Sequence, residues 1–148
     1  MPRPSSSAMD NQTLMEKAKA ARRLAHAPYS SYFVGAAVLD DRGAVHIGCN
    51  VENSSYPLGA CAEAGAIGAM VAAGGKRIDK IAVAGGGAHL EVCTPCGGCR
   101  QRILEFSDES TQILSLDENG RIVARRIAEL LPAPTEPNVA RHSGKPVI

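Results

Sequence analysis

The chain has 148 residues, enough for one domain whose core needs no disulfide staples. Hydrophobic residues make up 45% and charged residues 21%, which excludes extensive disorder, and no stretch reads as long and apolar enough to span a membrane. A net charge of +1 without a basic run excludes the electrostatic footprint of a surface for a nucleic acid polymer, so the expected partners are small molecules or protein.

In chain order, residues 1–9 are rich in Pro and Ser and read as a disordered lead; Met1-Pro2-Arg3-Pro4 lacks the hydrophobic region of a signal peptide, which predicts a cytoplasmic protein. From Asp10, a residue type that caps helices, Leu14, Ala18, Ala21 and Ala25 recur at helical spacing. Glu16, Lys17, Lys19, Arg22 and Arg23 fall mostly off that stripe, so the segment is a packing helix. His26, near its end, is expected to meet the carbonyl end of the helix dipole. Residues 32–40 and 44–51, separated by Asp41-Arg42-Gly43, read as a β-hairpin. Gly35-Ala36-Ala37 in its first strand are small enough to admit another element, most simply the helix that begins at Cys61. His46 alternates with Val45 and Ile47 and is expected on the solvated face, with no metal role.

The Ala-rich segment 61–73, closed by Gly74-Gly75, is a helix whose first turn holds Cys61 and Glu63. Residues 80–84 form a short strand. Gly85-Gly86-Gly87 read as a turn rather than a phosphate loop, because no G-K-[ST] or G-x-G-x-x-G arrangement follows. Pro95-Cys96-Gly97-Gly98-Cys99 precedes a second helix with Ile103 and Leu104 on its apolar face. Residues 112–116 are a strand, 117–120 a turn, Ile122-Val123 the strand's continuation, and 126–131 a short helix stopped by Pro132. From Ala133 the chain is Pro-rich and aperiodic, a tail or an arm on a neighbouring subunit. The order implies a three-layer α/β domain over 10–132, with 133–148 as the tail.

The chemistry concentrates between Cys61 and Cys99. Cys61, Cys96 and Cys99 bring three thiols in two short clusters, a set that closes on one Zn²⁺ and leaves its fourth position open for water, as in catalytic rather than structural sites. Glu63, two residues after Cys61, sits beside such a metal without binding it and is placed to carry protons. Cys-x-Glu followed by Pro-Cys-x-x-Cys matches the zinc deaminase signature in its three-cysteine form. With three of the five cysteines assigned to metal, a disulfide framework is a poor explanation. Cys49 and Cys93 read as small buried apolar residues, with Cys93 near enough to the second cluster to disturb metal loading. Asn50 offers a donor and an acceptor, Glu52 a strong acceptor, and their spacing on one strand face suits a clamp for a hydroxyl.

Over residues 27–132 the chain resembles the small homotetrameric cytidine deaminase family. The resemblance rests on Ala27-Pro28-Tyr29-Ser30 with Val34-Gly35-Ala36-Ala37, on Gly48-Cys49-Asn50-Val51-Glu52-Asn53, on the two cysteine segments continued by Arg100-Gln101, and on Glu129-Leu130-Leu131-Pro132. It implies an α-β-α domain on a central mixed sheet, and hydrolytic deamination of cytidine or 2'-deoxycytidine with release of ammonia. Zn²⁺ would be held by Cys61, Cys96 and Cys99, and Glu63 would be the catalytic residue. Tyr32, Asn50, Glu52, Ala62 and Tyr56 would contact the substrate; Asn50 and Glu52 would hold the ribose hydroxyl, and Tyr56 would come from a neighbouring subunit. Three positions depart from the family pattern. Tyr32 stands where Phe is usual, Ala64 where Arg follows the catalytic Glu, and Ala133-Pro134-Thr135 where an aromatic residue is common. Without an Arg at 64, charge compensation for three thiolates falls to the helix N-termini and to Arg100 or Arg102, whose directions the sequence does not reveal. Blasticidin-S deaminases are similar and also lack that Arg, which makes a related aminopyrimidine nucleoside an alternative substrate, but they lack the Asn-x-Glu-Asn segment. A non-catalytic three-cysteine zinc protein, with Glu63 only capping a helix, is the alternative of another class.

Overall fold

Asp10 caps the first helix, α1 (Asn11–Arg22), its carboxylate accepting from the Thr13 N–H at 2.6 Å. The structure is a computed structural model that describes residues 9–135; the remainder of the expected lead and tail lies outside them. α1 buries Leu14, Met15, Ala18 and Ala21, the expected stripe with Met15 added, and ends before Ala25. His26 therefore lies beyond the last turn of the helix. Its N–H donates to the Asn50 carbonyl and its own carbonyl accepts from the Glu52 N–H, so it tethers the segment that follows the hairpin.

The hairpin is β1 (Phe33–Asp40) and β2 (Val45–Cys49). After it come α2 (Ala62–Ala72), β3 (Ile78–Gly86), α3 (Gly97–Glu105), β4 (Gln112–Leu116), β5 (Ile122–Arg125) and α4 (Ile127–Leu130). The strands form one mixed sheet in the order β2-β1-β3-β4-β5. Only β3 and β4 are parallel, and α3 makes the crossover between them. Gly85 and Gly86, expected in a turn, instead end β3, paired with Val34 and Phe33.

Successive residues of a strand face opposite sides of the sheet, and the core divides accordingly. Ala36, Val38, Ile81 and Val83 pack with Ala62, Ala66 and Met70 of α2 and Ile103 of α3. Ala37, Leu39, Ala82 and Ala84 pack with Leu14, Met15 and Ala18 of α1. The expected three layers are present, with α1 on one face and α2 and α3 on the other.

Two glycines decide how closely the helices approach. A Cβ on Gly35 would lie 2.0 Å from the Ala18 carbonyl oxygen and 2.3 Å from the Arg22 nitrogen, so Gly35 admits α1 and not the cysteine-bearing helix. That helix, α2, lies over Gly48, where a Cβ would fall 2.3 Å from the Ala62 oxygen and 2.4 Å from the Ala66 nitrogen. Gly48 pairs across the hairpin with Ala36 and so shares the α2 face. His46 is also corrected. It pairs with Val38, which faces the core beneath α2, and its Nε2 sits 2.8 Å from the buried Asp40 Oδ2, while Ile47 faces solvent.

Candidate active site

Both cysteine clusters open helices. Cys61 is the N-cap of α2 and Cys96 the N-cap of α3; neither helix has a side-chain cap, so first-turn N–H groups are left for other acceptors. The Cys61 and Cys96 sulfurs stand 4.0 Å apart, and all three Sγ atoms, with that of Cys99, lie within 4.8 Å of one another. Sulfurs about 2.3 Å from a tetrahedral zinc stand about 3.8 Å apart. A disulfide would need about 2.05 Å. The spacing and the all-thiol donor set fit a zinc ion. Cys99 is buried, Cys61 half-buried and Cys96 exposed, so the set opens to solvent on one side.

Glu63, in the first turn of α2, is 4% exposed. Burial pushes its carboxyl above the ordinary carboxylate range, against the pull of its own N–H, the Cys99 thiol and the Arg102 guanidinium. Burial also pushes the Cys61 and Cys99 thiols up, and Glu63 adds to both shifts. At Cys96 the Cys99 N–H and the neighbouring thiols outweigh burial and bring the thiol down.

The two arginines of α3 diverge. Arg100 donates to the carbonyls of Pro95 and Leu130, each at 2.8 Å, and to Thr94 Oγ1 at 3.3 Å, tying the cysteine loop to α4. Arg102 turns to the cluster, its Nη1 3.7 Å from Cys99 Sγ. The spacing of three within α3 puts residues 99 and 102 on one face of the helix.

A cavity of about 800 Å³ opens beside the thiols, within the size range of small-molecule sites. Tyr32, Asn50, Glu52, Tyr56, Ala62 and Glu63 all line it, together with Cys61 and Cys96. Asn50 and Glu52 lie past the end of β2 rather than on a strand face. The Asn50 amide bridges to the start of β1, accepting from the Val34 N–H and donating to the Tyr32 carbonyl, both at 2.8 Å. Glu52 accepts from the N–H groups of Tyr29 and Ser30 and from the Ser30 hydroxyl, which hold its carboxyl below the ordinary range. Each side chain thus shapes the pocket wall and keeps hydrogen-bonding capacity to spare. Ser30 was missed in the sequence, where a lone serine carries no signal of the carboxylate it will meet.

Burial and a hydrogen bond to the Cys93 thiol push the Tyr32 phenol up to about 12, leaving it a neutral donor facing the cavity. Cys93 also lines the cavity; it and Cys49 are half-buried rather than buried, and the metal set comprises the other three cysteines. Tyr56 begins a single 3-10 turn, Tyr56–Leu58, at the rim, 75% exposed and edge-on to Tyr29 with ring centres 5.8 Å apart.

A family model, the cytidine and deoxycytidylate deaminase zinc-binding region, matches residues 8–115. The chain is similar to the cytidine deaminase of Sporosarcina psychrophila, at 39% identity over 125 residues that cover 84% of this chain and 90% of that protein. It is 44% identical to the cytidine deaminase of Mycobacterium tuberculosis over 108 residues, 73% of this chain and 76% of that one. Among solved structures, the cytidine deaminase from Burkholderia pseudomallei aligns with a TM-score of 0.78 at 39% identity, covering 86% of this chain and 100% of that chain.

Proposed function

The chain belongs to the cytidine and deoxycytidylate deaminase family, and on that premise we propose that it hydrolyses cytidine or 2'-deoxycytidine to the corresponding uridine and ammonia. The observation that carries this reading is a buried carboxyl, Glu63, lining a nucleoside-sized cavity beside three thiols spaced for one metal ion.

Cys61, Cys96 and Cys99 would hold Zn²⁺, which when bound supplies a Lewis acid that makes water a nucleophile near neutral pH. Glu63 accepts a proton from the attacking water and returns it to the substrate. Carbon C4 gains a C–O bond and loses its C–N bond; of the two water hydrogens one ends on the ring nitrogen N3 and one on the departing ammonia. The upward pKa shift of Glu63 supports the acceptor role, and its burial keeps bulk water from competing for the proton. Tyr32 lies against the base and Ala62 borders it, while Asn50 and Glu52 use their spare capacity on the sugar hydroxyl. The protein is cytoplasmic and assembles as a homotetramer in which Tyr56 serves a neighbouring site; the exposed apolar rim around the cavity supports contact between copies there. Among the described residues no helix is long and apolar enough to cross a membrane.

The test is ammonia release from cytidine, deoxycytidine, free cytosine and blasticidin S, with zinc content measured in parallel. The expected result is zinc-dependent turnover of the two pyrimidine nucleosides. Glu63→Gln should keep its zinc and lose about 10² to 10⁴ in kcat. Zinc-loaded wild type that leaves cytidine and deoxycytidine intact would overturn the proposal.

A further inference from the structure

Three thiolates around a divalent cation leave one surplus negative charge within a small, partly buried volume. Something must offset it. Among the described residues one cationic side chain touches a ligand sulfur, and it is Arg102, donating to Cys99 Sγ at 3.7 Å. Arg100 is spent on the carbonyls of Pro95 and Leu130. Arg102 enters none of the ion pairs found among the described residues, so its charge is not neutralised elsewhere by a carboxylate in contact. Its place is dictated by α3, whose N-cap is Cys96 and whose first turn brings Cys99 and residue 102 onto one face. Cys99 is the buried ligand, the one that water cannot solvate, so a donor there has the least competition.

We propose that Arg102 is a positioning residue of the metal site: its guanidinium orients the Cys99 sulfur and offsets the negative charge of the three-cysteine set, raising affinity for zinc. The proposal rests on the zinc reading above. A charge-assisted N–H to sulfur bond serves the ligand as hydrogen-bonded partners of metal ligands do elsewhere, where their removal typically weakens metal binding by about 10- to 100-fold. Because Arg102 is exposed, part of its effect passes through solvent and is screened by salt.

The test titrates zinc-free wild type, Arg102→Met and Arg102→Lys with zinc against a chromophoric chelator at low and high ionic strength. Arg102→Met should bind zinc about tenfold more weakly or worse at low salt. Arg102→Lys, which keeps the charge, should recover most of the loss, and added salt should narrow the gap between wild type and Arg102→Met. A purely structural role would produce neither the lysine rescue nor the salt dependence. Residue 102 is an exposed helix position and methionine a good helix former, so the fold should hold. Thermal melting of the zinc-free proteins checks this, with Arg102→Gln as the second uncharged variant. Zinc affinity of Arg102→Met equal to wild type, or Arg102→Lys as weak as Arg102→Met, overturns the proposal. Wild type that binds no zinc would instead sink the metal reading itself, so the two failures are distinguishable.

Discussion

Asp40 and Glu63 are both buried carboxyls, and their surroundings drive them in opposite directions. Burial pushes each up. At Asp40 that push is outweighed by the His46 ring, by the N–H groups of Ala44 and Arg42, and by the Arg42 guanidinium, which together hold its carboxyl at about 2. Glu63 has fewer donors and stays high, which suits a proton carrier. Asp40 is the structural counterpart: Oδ1 closes the turn between β1 and β2, and Oδ2 holds His46. The folded pKa of Asp40 lies below its unfolded value of about 3.9, so its stabilising contribution is complete above about pH 5 and is lost as the pH falls through about 2. The shift is worth about 2 kcal/mol. Urea unfolding of zinc-free wild type and Asp40→Asn should therefore differ by at least about 2 kcal/mol near pH 6, and the gap should narrow towards pH 2. A gap independent of pH would mean that the network uses the shape of Asp40 and not its charge.

At the scale of elements, the cavity depends on how low α2 sits on the sheet. Gly48 sets that height for the helix carrying Cys61 and Glu63, while Gly35 sets it for α1 on the opposite face. Gly48→Ala drives a methyl into helix backbone and should cost about 1 to 3 kcal/mol or more, because backbone cannot step aside as a side chain can. It should also weaken zinc binding by lifting Cys61 from its partners on α3. Gly35→Ala should cost similar stability and leave zinc affinity intact. Parallel thermal melts and chelator competition check this, and a Gly48→Ala protein with undiminished zinc affinity would show that α2 can rise without disturbing the site. Sequence periodicity reveals that these elements exist, since the stripe of α1, the Asp41-Arg42-Gly43 turn and the two cysteine clusters are local signals. It does not reveal which element meets which face. Gly35 looked like a seat for α2, and His46 looked solvated, because the phase of a short strand against the layers above and below is set by partners distant in sequence. The directions of Arg100 and Arg102 were illegible for the same reason: α4 claims the first and Cys99 the second. Asn50 and Glu52 were legible as polar residues of a site, yet their first partners, the segment from Tyr29 to Val34, appear only once the hairpin folds back on it.

For the whole molecule, exposed apolar side chains gather at the mouth of the cavity, the surface on which the proposed assembly of copies can be tested. Tyr29, Val51, Tyr56 and Val92 line the same cavity and are all exposed, and Leu58, two residues from Tyr56, is 69% exposed. Large apolar side chains gathered at one opening mark an interaction surface more often than a solvated one. A net charge of +1 adds little repulsion between copies. If copies of the chain cover this rim, assembly and activity are linked, because the rim residue Tyr56 also lines the cavity. Leu58 does not itself line the cavity, so Leu58→Glu tests the interface without replacing a residue of the pocket. The variant should sediment as a smaller species than wild type, keep its zinc, and lose activity in proportion to the fraction dissociated. Wild type should likewise lose specific activity on dilution, over the concentration range in which sedimentation velocity shows the assembly coming apart. A dissociated single chain with full specific activity would detach catalysis from assembly and leave the apolar rim to the substrate alone.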